Sequence, residues 1–167
     1  MDTHSAETIL QSEPVRNKLR KYLGEDYLYE IEERVQDFDH IINRGVQVYF
    51  TSYETSLARL FVSQAVGCCG IAVLTGLGVF KPEKMNKGLG TYLTKLAEAM
   101  AAYHGYTKLT ATTAEEYNPH MIRIFNKLDY RIMDSPFKNI RSGSTVTMWI
   151  KDLPRFTSLD LPKLTEL

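Results

Sequence analysis

Apolar residues along this chain change their period several times, and each change marks an element. From Glu13, the residues Val15, Leu19, Tyr22 and Leu23 recur at helical spacing until Gly24 stops the pattern, which predicts a helix. Leu28, Ile31, Val35, Phe38 and Ile42 follow on one stripe and predict a second helix ending near Asn43 to Gly45. Val46, Val48 and Phe50 then alternate with polar positions, which predicts a strand. Leu60 and Val62 predict a second strand after a turn at Ser52 to Ser56. Ile71 to Lys81 predicts a third, long and mostly apolar, hence central. Leu89, Leu93, Leu96, Ala97, Met100 and Ala101 lie on one face of a predicted helix closed by Gly105. Tyr106 to Thr113 reads as a strand, and Asn118-Pro119 opens a short helix carrying Met121, Ile122, Phe125 and Leu128. Tyr130 to Met133 and Thr145 to Ile150 read as the last strands. Residues 1 to 12 are polar and predicted to be loose, and the tail from residue 152 shows no helix period, so it lies along the domain or docks on a partner.

This order of helices and strands predicts a mixed α/β fold (α+β type) around one central sheet. With 167 residues and no repeat or linker, the chain is read as a single domain, 1–167, able to bury its own core. Twenty basic and twenty acidic residues cancel, which disfavours nucleic acid as a partner held by overall charge. No apolar run reaches the roughly 18 to 20 residues that span a bilayer, so no membrane role is expected. The start has no basic-then-apolar leader, which points to the cytoplasm. Cys68 and Cys69 are adjacent, a spacing that suits neither a disulfide nor zinc, and are read as small buried residues in a reducing compartment.

The stretch FKPEKMNKGLGTYL, residues 80 to 93, carries the most chemistry. A strand, a glycine-containing turn and a helix in that order make an anion site. The first helical N–H groups lack partners, and the helix dipole adds positive charge. Gly88 and Gly90 remove side chains that would hold a phosphate away, and Lys84 and Lys87 add charge. The turn is neither a P-loop nor a dinucleotide fingerprint, because Leu93 stands where the last glycine would be.

Val79-Phe80-Lys81-Pro82-Glu83, then Met85-Asn86-Lys87-Gly88-Leu89-Gly90 with Thr91 and Leu93, resembles the first signature of the GNAT superfamily of acyl-CoA-dependent N-acyltransferases. NPHMIRIFNKLDY, with Asn118, Phe125, Asp129 and Tyr130, resembles the second. The likeness covers residues 71 to about 133 best. It implies a GNAT-like fold with splayed central strands, Ile71–Lys81 and Tyr106–Thr113, flanked by helices. It also implies an N-acetyltransferase that moves an acetyl group from acetyl-CoA to an amine, either a small molecule or a protein, by direct attack without a metal. On this resemblance the pyrophosphate falls on Asn86, Lys87, Gly88, Leu89, Gly90 and Thr91, behind Met85. The pantetheine pairs with Leu77 to Phe80, and an N–H near Val79 faces the thioester oxygen. Asn118 hydrogen-bonds the pantetheine, and Phe125 packs against it.

Three positions depart from the family pattern. Met85 replaces the usual Arg or Gln. Phe125 stands where a tyrosine often protonates the leaving thiol. Residues 70 to 80 carry no carboxylate, and Leu74 and Thr75 occupy the place of a general base. The remaining candidates for acid or base are Glu115, Glu116, Tyr117 and His120; a neutral His120 in a first helical turn could act as base. Without the family pattern, Asn118 is a helix cap and the two acidic residues are a solvated loop. The basic loop 134 to 144, with Lys138 and Arg141, flanks the acceptor side in such a fold and suits an acidic or phosphate-bearing acceptor, although an ordinary polar hairpin loop is the favoured reading. Two rival readings follow: a catalytically silent GNAT-like protein acting through protein partners, and a nucleic-acid binder using that loop. Thr145 to Ile150, with Trp149 alternating against Met148, is expected to form an exposed edge suited to a homodimer.

Overall fold

The computed structural model describes residues 1–38, 41–53, 55–65, 67–114 and 119–166. Two helices, α1 (Thr3–Gln11) and α2 (Glu13–Leu23), lead into β1 (Leu28–Phe38), β2 (Ile41–Thr51), β3 (Ser56–Gln64) and β4 (Ile71–Val79). Helix α3 (Leu89–His104) crosses to β5 (Lys108–Ala114). Helix α4 (Pro119–Lys127), short strands β6 (Arg131–Ile132) and β7 (Phe137–Lys138), and β8 (Thr145–Asp152) complete the sheet. A 3-10 helix, Ser158–Thr165, follows. The sheet order is β1-β2-β3-β4-β5-β8-β6, with β7 also on β8. β4 and β5 are parallel, and the other neighbours are antiparallel. A parallel neighbour needs a crossover, and α3 supplies it.

The core lies between the helices and one set of alternating strand positions. Val46, Val48 and Phe50 of β2, Leu60 and Val62 of β3, and Leu109 of β5 are fully buried, together with Leu93, Leu96 and Met100 of α3. This is the period-2 strand pattern meeting the period-3.6 helix pattern. No helix among the described residues is long and apolar enough to cross a membrane.

Five expectations are corrected. The stretch from Leu28 is strand β1, not a helix. Tyr29, Ile31 and Val35 also fit a period of two that is interrupted only at Glu33, and pairing along the whole of β2 satisfies the backbone better than an isolated Glu-rich helix would. Residues 3 to 11 are not loose: they form α1, capped by Asp2, whose carboxylate accepts the Ser5 N–H at 3.2 Å, with Ile9 and Leu10 fully buried. The tail is helical in part. Its Leu164 is buried, and Phe156 and Leu161 pack on the core. Strand β8 is not an edge, because β5 covers one side and β6 and β7 the other, so the dimer edge expected there is already occupied. Cys68 and Cys69 are exposed, since they sit in the turn between β3 and β4, where Cys68 N–H donates to Ala65 O.

One distortion decides the shape of the sheet. Between β3 and β4 the register passes from Arg59↔Gly78 to Phe61↔Thr75. Two steps on β3 thus match three on β4, a bulge with Gly76 at φ 66°. On its other side, β4 pairs with β5 only from Ile71↔Lys108 to Leu74↔Ala111. From Thr75 onward β4 bends away, while β5 stays paired with β8 as far as Ala114.

The docking of α1 gives a direct test. Ile9→Ala and Leu10→Ala are each expected to destabilise the protein by about 2–5 kcal/mol in urea unfolding, as large-to-small core substitutions do. An N-terminus lying loose on the surface would leave the midpoint unchanged.

Candidate functional site

The gap left by β4 is continued by a cleft of about 460 Å³. One wall is formed by Leu77, Gly78 and Val79 of β4. The floor is the turn and first residues of α3: Lys84, Met85, Asn86, Gly88, Gly90 and Thr91. The opposite wall is α4, which contributes His120, Met121, Arg123, Ile124 and Lys127.

The turn folds as it does because of two left-handed residues, Asn86 at φ 58° and Gly88 at φ 92°. Asn tolerates this region and Gly favours it. Within α3 the Tyr92 N–H donates to Gly88 O at 2.9 Å. The N–H groups of Leu89, Gly90 and Thr91 precede it and have no partner among the described residues. These are the donors that an anion would take. Gly90 has a second role, since a Cβ there would stand 3.2 Å from Ile124 Cδ1. Its missing side chain lets α3 and α4 meet closely at the cleft.

The electrostatics agree with the backbone. Lys84, Arg123 and Lys127 line the cleft, and among the described residues none that lines it is a carboxylate. Among the described residues none of the three cations has an ion-pair partner. Arg123 and Lys127 are four residues apart on α4 and so share a face. This pair was missed in the sequence, although the i, i+4 spacing was there to be read, with Ile124 beside it.

Leu77, Val79, Met85, Asn86, Gly88, Gly90 and Thr91, all singled out in the sequence, come together in this cleft, as does His120. The others lie elsewhere or outside the described residues. Lys87 is exposed on the turn without lining the cleft. Leu89 is 1% exposed and belongs to the core. Phe80 is exposed and packs beside Gly78, with the Arg59 guanidinium 5.6 Å from its ring centre; Arg59 Nε also donates to the bulged Gly76 carbonyl at 3.2 Å. Phe125 is 1% exposed, its ring 4.7 Å from Tyr130 and 5.7 Å from Trp149. Glu115, Glu116, Tyr117 and Asn118 lie outside the described residues. Leu74 is buried and Thr75 exposed at the point where the strands part. The basic loop is a closed hairpin tip: Asn139 N–H donates to Ser144 O, and Asn139 Oδ1 accepts from the N–H groups of Arg141 and Ser142. No cluster of three or more metal-ligating side chains occurs among the described residues.

The contact between α3 and α4 yields a double-mutant cycle. Gly90→Ala brings a methyl group against Ile124, so in the native background its helix-propensity gain is cancelled or reversed. In an Ile124→Ala background the same change is expected to stabilise by about 0.5–1 kcal/mol. An equal effect in both backgrounds, read by thermal unfolding, would show that the two positions do not touch.

No protein-family model matches this sequence, and no curated protein matches it. Solved structures do match. An acetyltransferase of the GNAT family from Streptococcus pneumoniae superposes with a TM-score of 0.54 at 16% identity, over 66% of this chain and 67% of its own. A nourseothricin acetyltransferase gives 0.57 at 14% identity, over 77% and 99%. An acetyltransferase from Bacillus subtilis, solved in complex with CoA, gives 0.52 at 13% identity, over 92% and 94%. At these identities the likeness is one of architecture, and it agrees with the mixed sheet, the parted β4 and β5 and the glycine turn: this chain has the fold of the GNAT acetyltransferases.

Proposed function

We propose that the protein binds an acyl-CoA, acetyl-CoA in the first instance, and transfers the acyl group to an amine. The observation that carries this reading is the cleft itself. Among the described residues, it joins a stretch of β4 backbone with no neighbour on one side to a helix N-terminus whose N–H groups have no partner, and it holds three cations without an ion-pair partner and no carboxylate. A long ligand with a pyrophosphate at one end and amide groups along its arm suits such a surface. The diphosphate takes the turn from Asn86 to Thr91, and the arm lies along Leu77 to Val79 as an added strand would.

The chemistry needs little more from the chain. A neutral amine attacks the thioester carbon, the carbonyl oxygen gains charge, and the thiolate leaves as the amide forms. Backbone N–H groups at the parted end of β4 are fixed dipoles where that charge develops. His120, in the first turn of α4 and on the cleft wall, is the described side chain suited to take the amine proton. Glu116 and Tyr117 precede that helix in the sequence and are the further candidates. Phe125 offers no proton and is packed between Tyr130 and Trp149. That burial motivates the second reading, a GNAT-shaped protein that holds CoA without turnover.

Calorimetric titration of acetyl-CoA and CoA tests the binding half. Wild type is expected to bind both in the micromolar range, about −8 kcal/mol. A Gly88→Glu/Gly90→Glu variant and the milder Arg123→Glu/Lys127→Glu variant, each shown to be folded by circular dichroism, are expected to bind at least tenfold more weakly. Folded wild type that binds neither ligand would end the reading. Binding without thiol release toward a broad set of amines would favour the silent form.

A further inference from the structure

A second cavity, of about 150 Å³, adjoins the cleft around the N-terminus of α3. Tyr22, Gly88, Thr91, Tyr92, Lys95 and Lys127 line it, and Gly88, Thr91 and Lys127 are shared with the cleft. On α3, residues 88, 91, 92 and 95 form one face, so the cavity is a groove running along the helix from the glycine turn. Tyr22 of α2 closes one side, with its ring 5.6 Å from that of Tyr92.

Its chemistry is that of an anion site. Lys95 and Lys127 bring two ammonium groups, and among the described residues none that lines the groove is acidic. Glu98, the nearest acid along α3, is engaged elsewhere, accepting from Lys151 Nζ at 2.9 Å. The pKa of Lys95 is held below the ordinary lysine value, first by partial burial; Glu98 pulls the other way, and the positive charge of Lys151, Lys127 and Lys18 adds to the lowering. An anion would relieve that crowding. Tyr92 supplies an independent sign. It is 2% exposed, and its hydroxyl is buried with no hydrogen-bond partner among the described residues. Burial, with Tyr22 and Tyr27 nearby, pushes its pKa up, so it keeps a proton to donate. Buried hydroxyls are nearly always satisfied, and one left open beside two lysines suits an incoming acceptor oxygen.

We propose that this groove takes a phosphate monoester, the 3′-phosphate of coenzyme A, and that the protein thereby selects CoA over its dephospho form. The proposal rests on the CoA reading above and adds a discrimination that the glycine turn cannot make. The turn offers backbone N–H groups, which serve a pyrophosphate present in both forms. A terminal monoester carries nearly two charges at neutral pH and calls for cations and hydroxyls. Lys95, Lys127 and the Thr91 hydroxyl supply them beside the turn, and only the 3′-phosphorylated ligand has a group to place there.

The test titrates CoA, dephospho-CoA and adenosine 3′,5′-bisphosphate into wild type, Lys95→Ala and Lys95→Arg. Lys95 is the site to change, because Lys127 also faces the cleft. Wild type is expected to bind CoA about tenfold or more tightly than dephospho-CoA, the size of effect typical of charge-assisted hydrogen bonds. Lys95→Ala should lose most of that ratio while keeping its affinity for dephospho-CoA, and Lys95→Arg should retain it. Adenosine 3′,5′-bisphosphate should compete with CoA on wild type and fail to do so on Lys95→Ala. Equal affinity of wild type for CoA and dephospho-CoA overturns the proposal while leaving the CoA reading intact, as does a Lys95→Ala variant that weakens both ligands alike. Binding of neither by wild type overturns both.

Discussion

A stretch of backbone with a neighbour on only one side governs this molecule. From Thr75 to Val79, β4 pairs with β3 at Thr75, Gly78 and Val79 and, among the described residues, has no pairing with β5. Inside a sheet such a strand would leave N–H and C=O groups buried and unsatisfied, which proteins avoid. Here the groups open onto a cleft instead. The bulge at Gly76 makes this possible by bending one strand while its neighbour β5 continues straight along β8. Everything else about the site follows from the need to keep that gap open and lined.

The two helices beside the gap answer that need differently. α3 is anchored by a buried face of Leu93, Leu96 and Met100, so its first turn is held still while its free N–H groups point away from the core. α4 is short and rests on Phe125 and Leu128, leaving Arg123 and Lys127 exposed on the cleft side. Gly90 brings the two helices together through Ile124. The positive features of the cleft are thus divided between backbone dipoles on one helix and side-chain charges on the other. On the proposed reading, the first would fix where a phosphate sits, and the second would add attraction that falls with salt.

Much of this was legible in the sequence, for identifiable reasons. The strand-turn-helix from Ile71 to His104 announced itself because its apolar period changes from 2 to 3.6 across two glycines. The parted strands were expected from the family likeness alone, and no local pattern at Gly76 signals a bulge. The misreading of β1 has a plain cause. Leu28, Ile31, Val35 and Phe38 satisfy a helical stripe, and the glutamates between them favour helix locally; only the partner strand β2, distant information in a single chain, decides the matter. α1 was hidden for the opposite reason: with Ile9 and Leu10 as its only large buried residues, its pattern is too short to stand out, and its stability comes from docking rather than propensity. On the site, the glycine turn was visible as chemistry, whereas the groove at Lys95 was not. Tyr92 and Lys95 read as ordinary helix positions until the fold sets Tyr22 and Lys127 beside them.

The bulge carries one more consequence. It amounts to a single surplus residue on β4, between the pairs Arg59↔Gly78 and Phe61↔Thr75. Loss of one residue there would give the two strands equal spacing between those pairs and remove the distortion that accompanies the parting of β4 from β5. The core residues Ala72 and Leu74 lie before that point and would keep their neighbours. On the proposed reading, the opening that would admit a ligand thus hangs on the length of a single amino acid, in a segment that the core does not need.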